Sequence, residues 1–244
     1  MNNSDIFDIL LFLARPAAGK SEIIQYLQEF TEKERITRFH VGKIHIIDDF
    51  PMIWTWFEED DLLTKMGFTR LYTNDKGYFR NQYLWDLLIE RMNLEYTKFL
   101  RDNKNISDQT VIIEFSRGQE HGGYKSAFSH LSEEILQKSA ILYINVSWAE
   151  SLRKNRKRFN PGKPDSILEH AIPDEKLAKM YFETDWNEIS IPNSEFIRIG
   201  QNSLPYMVFE NEDDVTSGKN QKLDNRLHSS LDKLWINYIN RSKF

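Results

Sequence analysis

A chain of 244 residues that is 40% hydrophobic and 28% charged has the composition of an ordinary water-facing globular protein and is long enough to bury a substantial core. Its formal charge of −5 gives no electrostatic footprint for nucleic acid or an anionic membrane. It has no cysteine, which excludes disulfides, thiolate catalysis and zinc–thiolate sites and fits a reducing cytoplasm, the location expected here. The start, Met-Asn-Asn-Ser-Asp, lacks the order of a signal peptide, and no apolar run approaches membrane-spanning length.

Ile9 to Leu13 are continuously apolar and predict a strand buried on both faces. Ala14 to Ser21 read A-x-x-x-x-G-K-S, and Ile23, Ile24, Leu27 and Phe30 follow at helical spacing, so a helix is expected from about 21 to 35. Strand, small-residue loop, Gly-Lys-Ser and helix form the context of a phosphate-binding loop. Such a loop, here Ala14, Arg15, Pro16, Ala17, Ala18, Gly19, Lys20 and Ser21, turns backbone amides toward an anion. Lys20 would reach the β- and γ-phosphates of ATP, and Ser21 would place its hydroxyl on Mg²⁺. The first glycine of the usual pattern is Ala14 here.

A second strand is expected over 39–47, ending at Asp48-Asp49-Phe50-Pro51. Ligands in open α/β sheets bind at that carboxyl edge, so Asp49 is a candidate base for an attacking hydroxyl, although an aspartate there also suits a helix N-cap. Residues 52–75 predict a short helix and a loop. Their Trp54, Trp56 and Phe57 either stack on a base or pack internally. Leu84, Leu88, Met92, Tyr96 and Phe99 mark a long amphipathic helix within 78–100.

Thr110 to Phe115 predict a third buried strand that carries Glu114. A carboxylate in an apolar strand needs a partner, and Mg²⁺ or Arg117 could each be that partner. Arg117 could equally meet a substrate phosphate. His121 lies in a loop over 118–123, followed by a helix to about 138. Residues 140–146 form a fourth strand, and Ser147 to Glu150 have the form of a capping box.

The helix that this box opens carries Arg153, Lys154, Arg156, Lys157 and Arg158 before Asn-Pro-Gly-Lys-Pro breaks it. It is either a solvated basic face or, over about 153–172, a lid whose arginines, Arg153 and Arg156 foremost, clamp a phosphoryl group in transit. Further expectations are a helix over 174–186, a fifth strand over 195–199, an edge strand near 206–209, an exposed acidic loop at about 210–222 and a closing helix with Leu223, Leu227, Leu231, Leu234 and Tyr238. Alternating strands and helices with no internal repeat predict one domain over 1–244, with a mainly parallel sheet covered on both faces.

The order of motifs over about 9–186 resembles the nucleoside and nucleotide kinase group of P-loop NTPases. Asp49-Phe50-Pro51 with Trp54 resembles the acid-proline turn and tryptophan of deoxynucleoside kinases, Glu114-Phe-Ser-Arg117 their acid-and-arginine turn, and Arg153 to Arg158 their lid. The resemblance implies a three-layer α/β/α P-loop fold of about five strands in the order 2-3-1-4-5 with a helical lid. It implies transfer of the γ-phosphoryl of Mg-ATP to a small acceptor, a nucleoside or nucleoside monophosphate, in an ATP-binding, magnesium-dependent enzyme. Catalysis would fall to Lys20, Asp49, Arg117, Arg153 and Arg156, with Ser21 and Glu114 on the metal. The alternative is a regulatory module that uses the same loop, hydrolyses ATP slowly and has no acceptor pocket.

Overall fold

The computed structural model describes residues 5–158, 162 and 171–241. At its centre lies β1 (Ile9–Ala14), buried at every residue. Strand geometry sends successive side chains to opposite faces. Leu10, Phe12 and Ala14 accordingly join one core, and Ile9, Leu11 and Leu13 join another. A strand that is apolar at every position has to be covered on both sides, and that requirement sets the layering.

In chain order the helices and remaining strands are α1 (Lys20–Gln28), α2 (Glu32–Phe39), β2 (Lys43–Asp48), α3 (Asp49–Lys65), α4 (Tyr83–Asp102), β3 (Gln109–Phe115), α5 (Gly123–His130), α6 (Glu133–Lys138), β4 (Ser139–Asn145), α7 (Trp148–Arg158), α8 (Asp174–Tyr181), α9 (Trp186–Ser190), β5 (Phe196–Ile199), β6 (Asn202–Glu210), α10 (Val215–Gly218) and α11 (Gln221–Asn240). The sheet runs β2-β3-β1-β4-β6-β5. The first five strands in that order are parallel, and β5 pairs antiparallel with β6. Residues of α1, α2 and α11 fill the core on one face, and residues of α4, α5, α6 and α9 fill the other, so the chain is a three-layer α/β structure. Among the described residues no helix is long and apolar enough to cross a membrane.

The five-strand order 2-3-1-4-5 is corrected to six strands, because the fifth place belongs to the segment 202–210 rather than to 195–199. A tight turn with Gly200 at φ 58° folds β5 back along β6. Pro205 lacks an N–H, and it precedes Tyr206, where the parallel ladder with β4 begins. The four-residue β5 keeps Arg198 exposed and serves as the edge.

Boundaries moved for local reasons. The helix expected over 21–35 divides at Thr31, whose side chain and Glu34 complete a capping box that opens α2. The strand expected from 39 begins at Lys43, because Phe39 closes α2 and His40 turns left-handed at φ 56°. The helix expected after the 118–123 loop, up to about 138, and the one expected over 174–186 each form as two pieces. The 210–222 loop is not simply exposed: Asn211, Val215 and Thr216 within it are buried, and it contains α10.

The short helix expected after residue 52 is the 17-residue α3, which starts at Asp49 with Pro51 in its first turn, where a missing N–H is tolerated. Trp56 stacks on Tyr72 at 5.0 Å, with ring planes 8° apart, and Phe57 meets Phe79 at 5.8 Å, so these two aromatics serve internal packing. The Trp54 indole donates to Glu58. Asp60, with no exposed surface, fixes the segment that carries Tyr72. Its carboxylate accepts from the amides of Leu71, Tyr72 and Thr73 and from the Thr73 hydroxyl. Burial raises the Asp60 pKa, but the bonds from the Thr73 hydroxyl and the three amides outweigh it and hold the group below its ordinary value. Asp60→Ala strands three amides and one hydroxyl, and is expected to cost about 3 kcal/mol in urea unfolding. A loss within about 0.5 kcal/mol, the scale of an ordinary surface change, would mean that water satisfies the segment instead.

Candidate functional site

The turn between β1 and α1 is built from its carbonyls outward. The carbonyl of Ala14 accepts from the Tyr124 hydroxyl at 3.1 Å, that of Pro16 from Ser151 Oγ at 2.8 Å, and that of Ala18 from Asn211 Nδ2 at 2.7 Å. The carbonyl of Arg15 accepts from the amide of Ala18. With these oxygens drawn back, the amides of Ala17, Gly19, Lys20 and Ser21 find no acceptor among the described residues. They stand at the N-terminus of α1, where unsatisfied donors and the positive dipole end favour an anion.

Ala14 lies in extended β1, so alanine in place of the pattern's first glycine carries no backbone penalty. The left-handed positions are Ala17 at φ 58° and Gly19 at φ 115°. A Cβ on Gly19 would come within 2.7 Å of Thr216 Oγ1 and 2.8 Å of Asn211 Nδ2, so only glycine fits there. Lys20 Nζ donates to Ser116 Oγ at 2.8 Å, which carries its charge from the turn to the end of β3. The Arg15 guanidinium points elsewhere, toward the carbonyls of Val146, Tyr181 and Phe182, and it lines a separate cleft of about 470 Å³ with Tyr143 and Asn145.

The second part of the site is a row of carboxyls where β2 and β3 end. Asp48 and Glu114 are register partners across the two strands. Asp48 Oδ1 caps α3 by accepting the Phe50 amide at 2.9 Å. Burial first, then the negative charges of Glu114 and Asp49, push the Asp48 carboxyl up to about 8. Burial also raises Glu114, and the Lys20 ammonium and a hydrogen bond with Asp48 offset part of that rise. Glu114 Oε2 is buried without a hydrogen-bond partner.

Asp49 faces another way. Its Oδ2 accepts from Arg117 Nη1 at 2.5 Å, and Arg117 also donates to the carbonyls of Ser116 and Trp85. Both side chains are almost wholly buried. The structure therefore brings Lys20, Ser21, Asp48 and Glu114 together and closes Asp49 and Arg117 into an internal pair beside them. The sequence does place an acid pair at the end of β2, but only the register with Glu114 reveals which of the two faces it.

A cleft of about 830 Å³ opens against this row, with Ser21, Asp48 and Glu114 in its lining and Ile47, Met52, Trp56 and Tyr72 among its apolar walls. His121 lies elsewhere, stacked on Trp85 at 3.7 Å and kept neutral by burial and by the Arg117 charge.

The basic helix divides its charges. Arg153 is held by Glu150 at 2.6 Å and by Asp214 at 2.8 Å, and Arg156 by Asp174 at 2.6 Å. Lys154 is buried and bridges Asp214 at 2.7 Å and Thr216 Oγ1 at 3.0 Å, which ties α7 to the segment behind Gly19. Arg158 is the member of this run whose charge acts on Glu114. Arg153 and Arg156, the two arginines expected to lead, are therefore engaged with acids away from the carboxyl row. Of the expected 153–172 lid, residues 159–161 and 163–170 lie outside the described residues. Lys154, Asn211 and Thr216 were not legible as site-supporting residues, since nothing in their local pattern signals a role behind a turn more than a hundred positions away.

Among the described residues there is no cluster of three or more His, Cys, Asp or Glu able to hold a metal. Magnesium does not require one, because it is commonly bound through one or two carboxylates and substrate phosphates and keeps several waters. Glu114, with its unpartnered Oε2, and Ser21 line the same cleft, a donor set that fits that mode of binding.

No family model and no curated protein matches this chain. Among solved structures it is similar to a sugar kinase from a Janibacter species, solved without ligand, at 10% identity and a TM-score of 0.43 over 93% of this chain and 95% of that one.

The raised Asp48 pKa makes a stability prediction. Between about pH 4 and pH 8 the folded protein keeps a proton on Asp48 that the unfolded chain releases, so this group lowers stability as pH rises through that window. Asp48→Asn retains the N-cap and removes the titration. The variant is expected to lack this part of the decline and to be more stable than the parent at pH 8 by on the order of a few kcal/mol, read by urea unfolding across pH. Parallel stability–pH curves for the two proteins would contradict the assignment.

Proposed function

We propose that this protein is a P-loop phosphotransferase that moves the γ-phosphoryl group of Mg-ATP to the hydroxyl of a small acceptor. The observation that carries this reading is the convergence, at one sheet edge, of a turn of unpaired amides with Lys20 and a buried acid with an unpartnered oxygen, with Ser21 and Glu114 both lining one cleft. The amides of Ala17, Gly19, Lys20 and Ser21 hold the β- and γ-phosphates, and Lys20 offsets their charge. Ser21 and Glu114 hold Mg²⁺, which, when bound, neutralises charge on the phosphate oxygens. Phosphoryl transfer asks little more of a protein than such positioning and electrostatic stabilisation.

The proton of the acceptor hydroxyl goes to Asp48. Asp49 is the base suggested by sequence, but its carboxylate is occupied by Arg117 inside the fold, whereas Asp48 borders the cleft. Because Asp48 keeps a proton below about pH 8, its ionised fraction acts as the base, and transfer should speed up as pH rises toward 8. The Asp49–Arg117 pair is then a positioning element that fixes the start of α3. The cleft also favours an acceptor-using enzyme over a regulatory module that only hydrolyses ATP, since such a module has no use for a cavity of that size beside the phosphates. The resemblance read from the sequence makes a nucleoside or nucleoside monophosphate the acceptor class to test first.

Two measurements test the reading. Lys20→Ala removes a charge-assisted contact and should weaken Mg-ATP affinity by about tenfold to a hundredfold in calorimetry while the fold survives. Unchanged affinity in the folded variant would refute the nucleotide site. Glu114→Gln should weaken the Mg²⁺ dependence of ADP formation without a matching loss of stability.

In α7, Arg158→Ala should slow transfer more than Arg153→Ala, because the charge of Arg158 acts on Glu114 while Arg153 is engaged with Glu150 and Asp214. The reverse order in single-turnover rates would restore Arg153 to the lid role.

A further inference from the structure

We infer that the acceptor is an uncharged or cationic hydroxyl compound and that its already phosphorylated counterparts are rejected. This rests on the phosphotransferase reading and narrows it. Around the cleft the carboxylates of Glu59 and Glu95 stand on the acceptor side of Asp48 and Glu114, whose own charges burial suppresses, and among the described lining residues only Arg91 is permanently cationic. Burial lowers the pKa of His45, which stacks on Phe99 at 4.1 Å, so it adds no charge near neutrality. Arg117 is the cation that an anionic acceptor could have used, but it is almost fully buried and neutralised by Asp49. An acceptor bearing its own phosphate would therefore meet the like charges of Glu59 and Glu95 with Arg91 alone to offset them, which costs affinity.

One further buried atom marks the cleft as a place for a polar ligand. Arg91 Nε is enclosed without a hydrogen-bond partner, and Arg91 lines the cleft. It is a donor that the oxygen of a hydroxyl compound satisfies. Met52, Trp56 and Tyr72 supply an apolar wall for the rest of the molecule. Lys20 reaches Ser116 Oγ and is not among the residues lining the cleft, so it adds no positive charge to that wall.

The test uses matched pairs, a nucleoside with its monophosphate and a pentose with its monophosphate, each assayed for phosphorylated product with Mg-ATP. The uncharged member of the productive pair should have a kcat/KM about tenfold or more above that of its phosphorylated partner. Glu59 is exposed, so Glu59→Lys should fold normally and narrow that gap. Equal or reversed preference, an unchanged gap in Glu59→Lys, or ADP release with no member of either class phosphorylated would each overturn the inference. Calorimetry with an ATP analogue alone separates the two levels. A protein that binds ATP but prefers the phosphorylated acceptors defeats only this inference, whereas one that does not bind ATP defeats the phosphotransferase reading and this inference with it.

Discussion

The structure depends on how the backbone carbonyls of the turn after β1 are held. A five-residue connection between a fully buried strand and a helix has no room for both its donors and its acceptors to reach water. Here Tyr124, Ser151 and Asn211 each take one carbonyl from behind. These residues come from α5, α7 and the end of β6, so three distant parts of the chain have to be in place before the amides turn inward. The turn is thus a consequence of the whole fold and not a local motif set on top of it. That explains why Gly19 is packed so tightly against Thr216 and Asn211, and why a left-handed Ala17, worth roughly 1–2 kcal/mol of strain, is tolerated.

The electrostatics follow from the same layering. β2 and β3 end together, so their terminal acids meet in a place from which water is largely withdrawn. Burial raises both carboxyls, the charges of Glu114 and Asp49 push Asp48 up further, and a hydrogen bond with Asp48 offsets part of the rise at Glu114. Lys20 lowers part of that cost and reaches the same region through Ser116. A purely structural pairing would have satisfied both oxygens of Glu114. The arrangement instead keeps one without a partner, and it stores the Asp49–Arg117 pair beside the row, where each charge neutralises the other. The cost in stability is the kind that functional sites carry.

Much of this was legible in the residues because it is local or periodic. The apolar run at 9–13 and the Gly-Lys-Ser after it specify strand, turn and helix, and the spacing of Leu84 to Phe99 specifies α4. The Ser147 to Glu150 cap likewise marks the start of α7. What was not legible depends on long-range packing. Whether 196–199 or 202–210 lies beside β4 is decided by a two-residue turn and a proline, and both segments read as strands. Asp48 and Asp49 are adjacent and chemically identical, and only strand register against Glu114 separates a cleft residue from an ion-pair partner of Arg117. The basic run at 153–158 could not be divided from sequence, because its acids, Asp174 and Asp214, lie eighteen and sixty-one positions away from the arginines they bind.

The central claim is that the amides of Ala17, Gly19, Lys20 and Ser21 grip phosphate. Proton–nitrogen correlation spectra recorded while Mg²⁺ and a non-hydrolysable ATP analogue are added test it directly. These four amides should shift downfield and saturate together, as donors do when they bind an anion. Saturable shifts elsewhere with these four unmoved, or no saturable shift at all, would contradict the account.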